Sequence, residues 1–213
     1  MDGTIVDTEP YWMAAEARLV ESYGGTWTHE DAIALVGSGL THSAHALQAH
    51  GVTLSDDEII ESLTTSVLTQ IAVRVPWRPG ARELLADIAA NDVPTALVTM
   101  SIRRMAVEVA AALPLPFDVV VAGDDVDNAK PHPEPYLLAA KLLDVAIADC
   151  VAIEDSPPGV ASAVASGAVV VGVPGHGVIP ASDDHVVWQT LAGRTMADLT
   201  NEFRTRRTVG AGA

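Results

Sequence analysis

The sequence predicts a doubly wound α/β domain, a parallel sheet covered by helices, with a helical module inserted near its start. Three observations carry this. From Ala81 onward, short β-branched runs alternate with helical patterns at βαβ spacing. Between Tyr11 and Arg74 the pattern is helical, with no strong strand. The chain is 49% hydrophobic but only 4% aromatic, so Ala, Val, Leu and Ile must fill the core, as in parallel strands buried on both faces. Its 213 residues suit a core domain with a smaller inserted module.

Taken in order, residues 1–10 (MDGTIVDTEP) read as a turn-like stretch with acids. Helical patterns follow over Tyr11 to Tyr23, Thr28 to Val36, Thr41 to His50 and Ser55 to Arg74. Thr28 with Asp31, and Ser55 with Glu58, have the spacing of helix starts. Pro76-Trp77-Arg78-Pro79-Gly80 is a stiff connector. Beyond it, helices are expected at Ala81 to Asn91, Arg103 to Leu113, Glu134 to Leu143 and Pro158 to Ser166. Strands are expected at Thr95 to Thr99, Val119 to Ala122, Val151 to Ile153 and Val169 to Val173. The division is therefore a core of residues 1–10 and 77–203, an insert of 11–76, and a frayed tail of 204–213.

The formal net charge of −16 repels nucleic acid and anionic membrane, so neither is expected as a partner. It equally repels anionic substrates, which would need local cations or a metal. The single cysteine, Cys150, excludes an internal disulfide, and its apolar run predicts a buried structural thiol. Asp2, Asp7 and Glu9 stand where a signal peptide is positive. Ser156 to Ser182 lacks charged residues, but Pro157, Pro158, Pro174 and Pro180 interrupt it. A cytoplasmic protein is the expectation.

In open α/β sheets ligands bind beyond the carboxyl ends of the strands. Four groups fall there: Asp2-Gly3-Thr4, Thr99-Met100-Ser101, Lys130-Pro131 and Glu154-Asp155. Paired carboxylates such as Glu154 and Asp155 suit Mg²⁺, a hard cation that takes oxygen ligands. The Thr99 hydroxyl and the amides after it can hold a phosphate oxygen. Lys130 offsets negative charge. Asp2 can serve as general acid and base. Singly each group is commonplace; as an ordered set they point to phosphoryl chemistry.

DGTIVDTEP, LVTMS, AKPHPEPY and AIEDSPPGVASAVASG resemble, in order, the four motifs of the haloacid dehalogenase-like superfamily of phosphatases and phosphomutases. The helical insert is similar to the small cap of its β-phosphoglucomutase-like and phosphoglycolate phosphatase-like members. The resemblance implies Mg²⁺, an aspartyl-phosphate intermediate, a small phosphate ester as substrate and a monomer. It implies that Asp2 is the acid/base aspartate and a carbonyl ligand of the metal. Gly3, Thr4, Thr99, Met100, Ser101 and Lys130 would hold phosphate, and Glu154 and Asp155 would bind the metal.

One departure stands out. The family motif is Asp-x-Asp-Gly-Thr, whose first Asp is the nucleophile; here Met1 fills the x position. The nucleophile would directly precede Met1, and the central strand leading to it is largely missing. Either the true start lies upstream, or the protein is a truncated, non-catalytic relative. The first is favoured, because the other three motifs are intact and the second needs a fold without its central strand.

The loop Gly37-Ser38-Gly39-Leu40-Thr41-His42 resembles the substrate-facing cap loop of these enzymes, or is an ordinary turn. Leu40 stands where phosphoglucomutase-like members carry arginine, which favours a monophosphatase over a mutase. His42, His45 and His50 read as a solvated face, and His132 as a loop residue. Tyr11, Trp12 and Trp27 could line a cleft or simply pack.

Overall fold

The computed structural model describes residues 1–210 apart from Gly37, Pro114, Leu115 and His176, with the backbone alone for 208–210. The chain divides into two compact units, Thr8–Pro76 and Met1–Asp7 with Trp77–Ala213.

The Thr8–Pro76 unit holds α1 (Glu9–Ser22), α2 (His29–Leu35), α3 (Leu40–Ala49) and α4 (Asp56–Val73). Ile59, Leu63, Val67 and Ile71 recur every four residues on α4 and are at most 1% exposed. Burying each such side chain is worth about 1.5–3 kcal/mol, so this stripe organises the unit. Val20 of α1 and Leu47 of α3 are also fully buried. Both expected helix starts are reciprocal capping boxes, Thr28 with Asp31 and Ser55 with Glu58. Glu16 is the exception in this interior. One of its carboxylate oxygens and the Thr64 hydroxyl are buried without a hydrogen-bond partner. Burial, followed by the nearby Glu9 charge, pushes the Glu16 carboxyl up to about 7.

The second unit alternates as the sequence predicts. It runs α5 (Ala81–Ala90), β1 (Ala96–Val98), α6 (Arg103–Ala112), β2 (Val119–Val121), α7 (Glu134–Leu142), β3 (Val151–Glu154), α8 (Pro157–Ser166), β4 (Val169–Gly172), β5 (Val186–Val187) and α9 (Met196–Gly210). All strand pairings are parallel. Tyr136, Ala152, Val160, Ala163, Val170 and Ile179 form one buried cluster that joins α7 and α8 to β3 and β4.

The expected parallel α/β arrangement holds, with β1 paired to β2 in one sheet and β3, β4 and β5 in another. Met1–Val6 does not bridge them as a strand, since it closes into a turn in which the Gly3 amide donates to the Val6 carbonyl at 2.7 Å and the Ile5 amide to the Met1 carbonyl at 2.8 Å. The tail is not frayed over 204–210, because α9 continues to Gly210. Arg206 donates to the Asp183 carbonyl at 2.7 Å and Arg207 to the Ala148 carbonyl at 2.8 Å, which tethers the helix end. Cys150 is half-buried rather than buried, and its thiol, pushed up by burial, donates to the Ala146 carbonyl.

Candidate active site

Lys130 organises the carboxyl ends of the strands. Its ammonium donates to the Glu154 carboxylate, to the Val98 carbonyl at 3.2 Å and to the Tyr136 hydroxyl at 3.2 Å. Val98 is the last residue of β1 and Glu154 the last of β3, so one buried cation joins the ends of the two sheets. The side chains of Lys130 and Glu154 are 8% and 7% exposed, which makes their mutual neutralisation a requirement of the fold.

Glu154 is further held by the Tyr136 hydroxyl at 2.8 Å and by the Asp155 amide at 3.0 Å. The Ser156 hydroxyl donates to it at 3.2 Å. Burial pushes its carboxyl up, but Lys130 and the Tyr136 hydrogen bond outweigh this and hold it below the ordinary range. Burial and the adjacent Glu154 push the Tyr136 hydroxyl well above its ordinary value, so it stays a donor. α8 begins with Pro157 just past the pair, with Ser156 capping it.

Asp155 accepts from the Thr4 hydroxyl at 2.6 Å, which fixes Asp2-Gly3-Thr4 to the end of β3. Burial pushes the Asp155 carboxyl up, against the pull of the Thr4 hydrogen bond. Gly3 has φ +79, and a Cβ there would lie 2.1 Å from an Asp155 oxygen. A Cβ at Gly159 would lie 2.0 Å from a Glu154 oxygen. At both positions a side chain would have to push the neighbouring carboxylate aside. The Gly3 amide donates to the Asp2 carboxylate at 3.1 Å.

At the end of β1, the Thr99 hydroxyl is bonded to the Ser101 hydroxyl at 3.2 Å and accepts from the Ser101 amide at 3.2 Å. The Lys130 amide meets the Met100 sulfur at 3.4 Å, which ties this turn to the lysine. The Lys130-Pro131 bond is cis. The sequence-selected residues thus form one connected chain of contacts, from Asp2, Gly3 and Thr4 through Asp155, Glu154 and Lys130 to Thr99, Met100 and Ser101.

Tyr136, the Val98 carbonyl and Gly159 were not singled out from the sequence. Tyr136 had a readable signal, since it ends the AKPHPEPY string at the start of α7, one helical turn past the Lys130 loop. No group of three or more His, Cys, Asp or Glu side chains is arranged around a metal position among the described residues. His45 pairs with Asp56 at 2.9 Å, and His50 sits edge-on to Trp27. His132 accepts from the Glu134 amide at 3.3 Å. The Tyr11 hydroxyl donates to the Arg74 carbonyl, and the Trp12 indole to Thr8. Of the Gly37 to His42 loop, Gly37 lies outside the described residues, and Gly39 caps α3 with open space where a Cβ would stand.

Residues 1–173 match the family described as haloacid dehalogenase-like hydrolase. The phosphorylated carbohydrates phosphatase of Thermotoga maritima is 34% identical over 173 residues, covering 78% of this chain and 79% of that protein. Hexitol phosphatase A of Escherichia coli is 31% identical over 183 residues, covering 81% and 80%. Among solved structures, CbbY from Rhodobacter sphaeroides in complex with phosphate has a TM-score of 0.78 at 26% identity, covering 94% and 96%. The β-phosphoglucomutase of Clostridium difficile shares the fold at a TM-score of 0.73 and 22% identity, covering 97% and 96%. With four ordered motifs, this strand-end geometry and these relatives in agreement, the chain belongs to the haloacid dehalogenase-like hydrolase family.

Proposed function

We propose that this chain is the framework of a Mg²⁺-dependent phosphatase acting on a small phosphorylated metabolite, a sugar phosphate or similar monoester. The carrying observation is Lys130, a buried cation placed beside the Thr99 turn and the Glu154-Asp155 pair at one strand edge. In a chain of net charge −16, an anionic substrate needs such a cation together with a metal, since Glu154 already offsets Lys130. Two curated relatives are named phosphorylated carbohydrates phosphatase and hexitol phosphatase, which supports the substrate class.

In this reading the Thr99 hydroxyl and the Met100 and Ser101 amides hold phosphate oxygens, with Gly3 and Thr4 contributing backbone. Lys130 balances the charge of the bound group. Asp2 gives a proton to the leaving alcohol and takes one from the attacking water. The metal would be held by the Asp155 carboxylate and the Asp2 carbonyl, while Glu154, whose oxygens already accept from Lys130, Tyr136, Asp155 and Ser156, would add negative charge beside it. These donors fit Mg²⁺, which binds through one or two carboxylates and retains waters. The Asp155 carboxylate, made costly by burial, gains from a neighbouring cation. When bound, the ion supplies charge neutralisation at the phosphate. The Thr8–Pro76 unit serves as the cap, and the enzyme acts as a cytoplasmic monomer. Among the described residues no helix is long and apolar enough to cross a membrane.

The nucleophile in this reading is a carboxylate joined directly before Met1, outside these 213 residues. Phosphate release from sugar monophosphates is the test, using the chain extended by an apolar strand that ends in Asp. Turnover is expected from that protein, not from the Asn-ended version and not from the unextended chain. An Asp2-dependent rate from the unextended chain would overturn the assignment. A requirement for a bisphosphate primer would turn the reading to a phosphomutase.

A further inference from the structure

Two stretches of chain close around Asp155, the Met1–Val6 turn and the loop that leaves β4, and Arg78 holds both. The Arg78 amide donates to the Ile5 carbonyl at 2.9 Å. Its guanidinium donates to the Pro174 carbonyl at 3.0 Å. Pro174 lies just past β4 and leads into Gly175, which packs directly on the acid. The Gly175 amide donates to the Asp155 carbonyl at 3.3 Å. A Cβ at Gly175 would stand 2.9 Å from an Asp155 carboxylate oxygen and 3.4 Å from the Gly3 carbonyl oxygen. The loop is therefore a wall of the Asp155 carboxylate and touches the Met1–Val6 turn as well.

These contacts close a ring. The Thr4 hydroxyl donates to Asp155 at 2.6 Å, and the next residue, Ile5, accepts from Arg78. Arg78 grips Pro174, and Gly175 returns to Asp155. The backbone at Arg78 is itself fixed. Trp77 pairs with the buried Val6 in an antiparallel bridge. The Arg78 carbonyl accepts from the Ala81 amide at 3.1 Å, at the start of α5. Arg78 is half-buried, and its bond to Pro174 is charge-assisted, stronger than a bond between neutral groups. The planar guanidinium also keeps a fixed direction, which a flexible ammonium does not.

We infer that Arg78 is a positioning residue: it holds the Pro174–Gly175 loop against Asp155 and so sets where that carboxylate stands for a divalent cation. The inference rests on the Mg²⁺ reading above for what Asp155 does, and on the ring of contacts for what holds it. Mg²⁺ demands near-ideal octahedral geometry, so a displaced carboxylate binds it less well. Groups that orient a metal ligand typically govern affinity by about 10–100-fold. Charge alone predicts the opposite sign. Taking a guanidinium away from the neighbourhood of a metal site removes repulsion and tightens the binding of another cation. The direction of the change therefore separates positioning from charge.

The experiment compares the 213-residue chain with Arg78→Met and Arg78→Lys. Binding of Mn²⁺ alone, a paramagnetic substitute for Mg²⁺, is measured by electron paramagnetic resonance. Amide hydrogen exchange is read at Gly175, with Val170 of β4 as the internal reference. In Arg78→Met the Mn²⁺ dissociation constant is expected to rise about tenfold. Exchange at Gly175 is expected to quicken about tenfold, with Val170 unchanged. Arg78→Lys keeps the charge and a donor, and is expected to recover most of both. Mn²⁺ bound as tightly or more tightly by Arg78→Met would overturn the inference, and so would unchanged exchange at Gly175. Equal losses in the Lys and Met variants would assign the effect to packing and refute it too. If Arg78→Met does not fold, Arg78→Gln takes its place under the same criteria. Failure of both to fold would make Arg78 a folding residue and end the proposal. If the parent chain binds no Mn²⁺, the metal reading falls, and exchange at Gly175 alone decides whether Arg78 holds the loop.

Discussion

Lys130 and Glu154 are a pair that neither partner can leave. Lys130→Met strands a buried carboxylate, and a loss of about 3–5 kcal/mol is expected in urea unfolding. In Lys130→Met/Glu154→Gln the loss should be clearly smaller; additive losses would show that the two do not compensate each other. Glu16 is the opposite case, a buried carboxylate with no cation beside it. Its folded-state pKa of about 7 lies above the ordinary value of 4.5, so its contribution is intact below about pH 4.5 and is lost as pH rises through 7. Glu16→Gln should match the parent near pH 4 and be more stable at pH 8, measured by denaturation midpoint. A Gln variant no more stable at pH 8 would mean that Glu16 finds a partner. The residues gathered at the strand ends were legible because they sit in fixed strings. The partners that set their charge were less so: Tyr136 acts across a loop and the Val98 carbonyl has no side-chain signature.

At the scale of elements, Ser55 illustrates local coding. Its hydroxyl accepts from the Glu58 amide while the Glu58 carboxylate accepts from the Ser55 amide at 2.9 Å. α4 carries the central apolar stripe of its unit, so Ser55→Ala should cost about 1 kcal/mol, seen as a lower unfolding midpoint with the helix content unchanged. Ser55→Asp, which keeps a capping oxygen, should recover most of that. Elements with such punctuation were readable to within a residue or two. α9 was missed although it carries the same signal, Thr195 with Asp198, whose amides and side chains bond as in α2. Its apolar positions are sparse, Leu199 and Phe203, and its arginines resembled a solvated tail until Arg206 and Arg207 found backbone carbonyls elsewhere in the chain. Periodicity identified the strands but not which edges stay unpaired; the missing central strand was legible only through the family resemblance.

The whole molecule carries 28 acidic against 12 basic side chains. Self-repulsion of that size opposes compaction. The thermal midpoint should therefore rise between about 10 mM and about 150 mM salt, where the screening length shrinks from about 30 to about 8 Å. A midpoint that falls with salt would mean that specific ion pairs, such as Arg104 with Glu108, outweigh the net field. The glycines that crowd the carboxylate pair bear on how such a molecule can change over time. With Gly3 against Asp155 and Gly159 against Glu154, no replacement side chain can be placed beside either acid without moving it. The immediate surroundings of the pair are closed to gradual substitution. Lineages descending from this chain would have to vary their choice of substrate at a distance from the acids, and leave the acids' own setting as inherited.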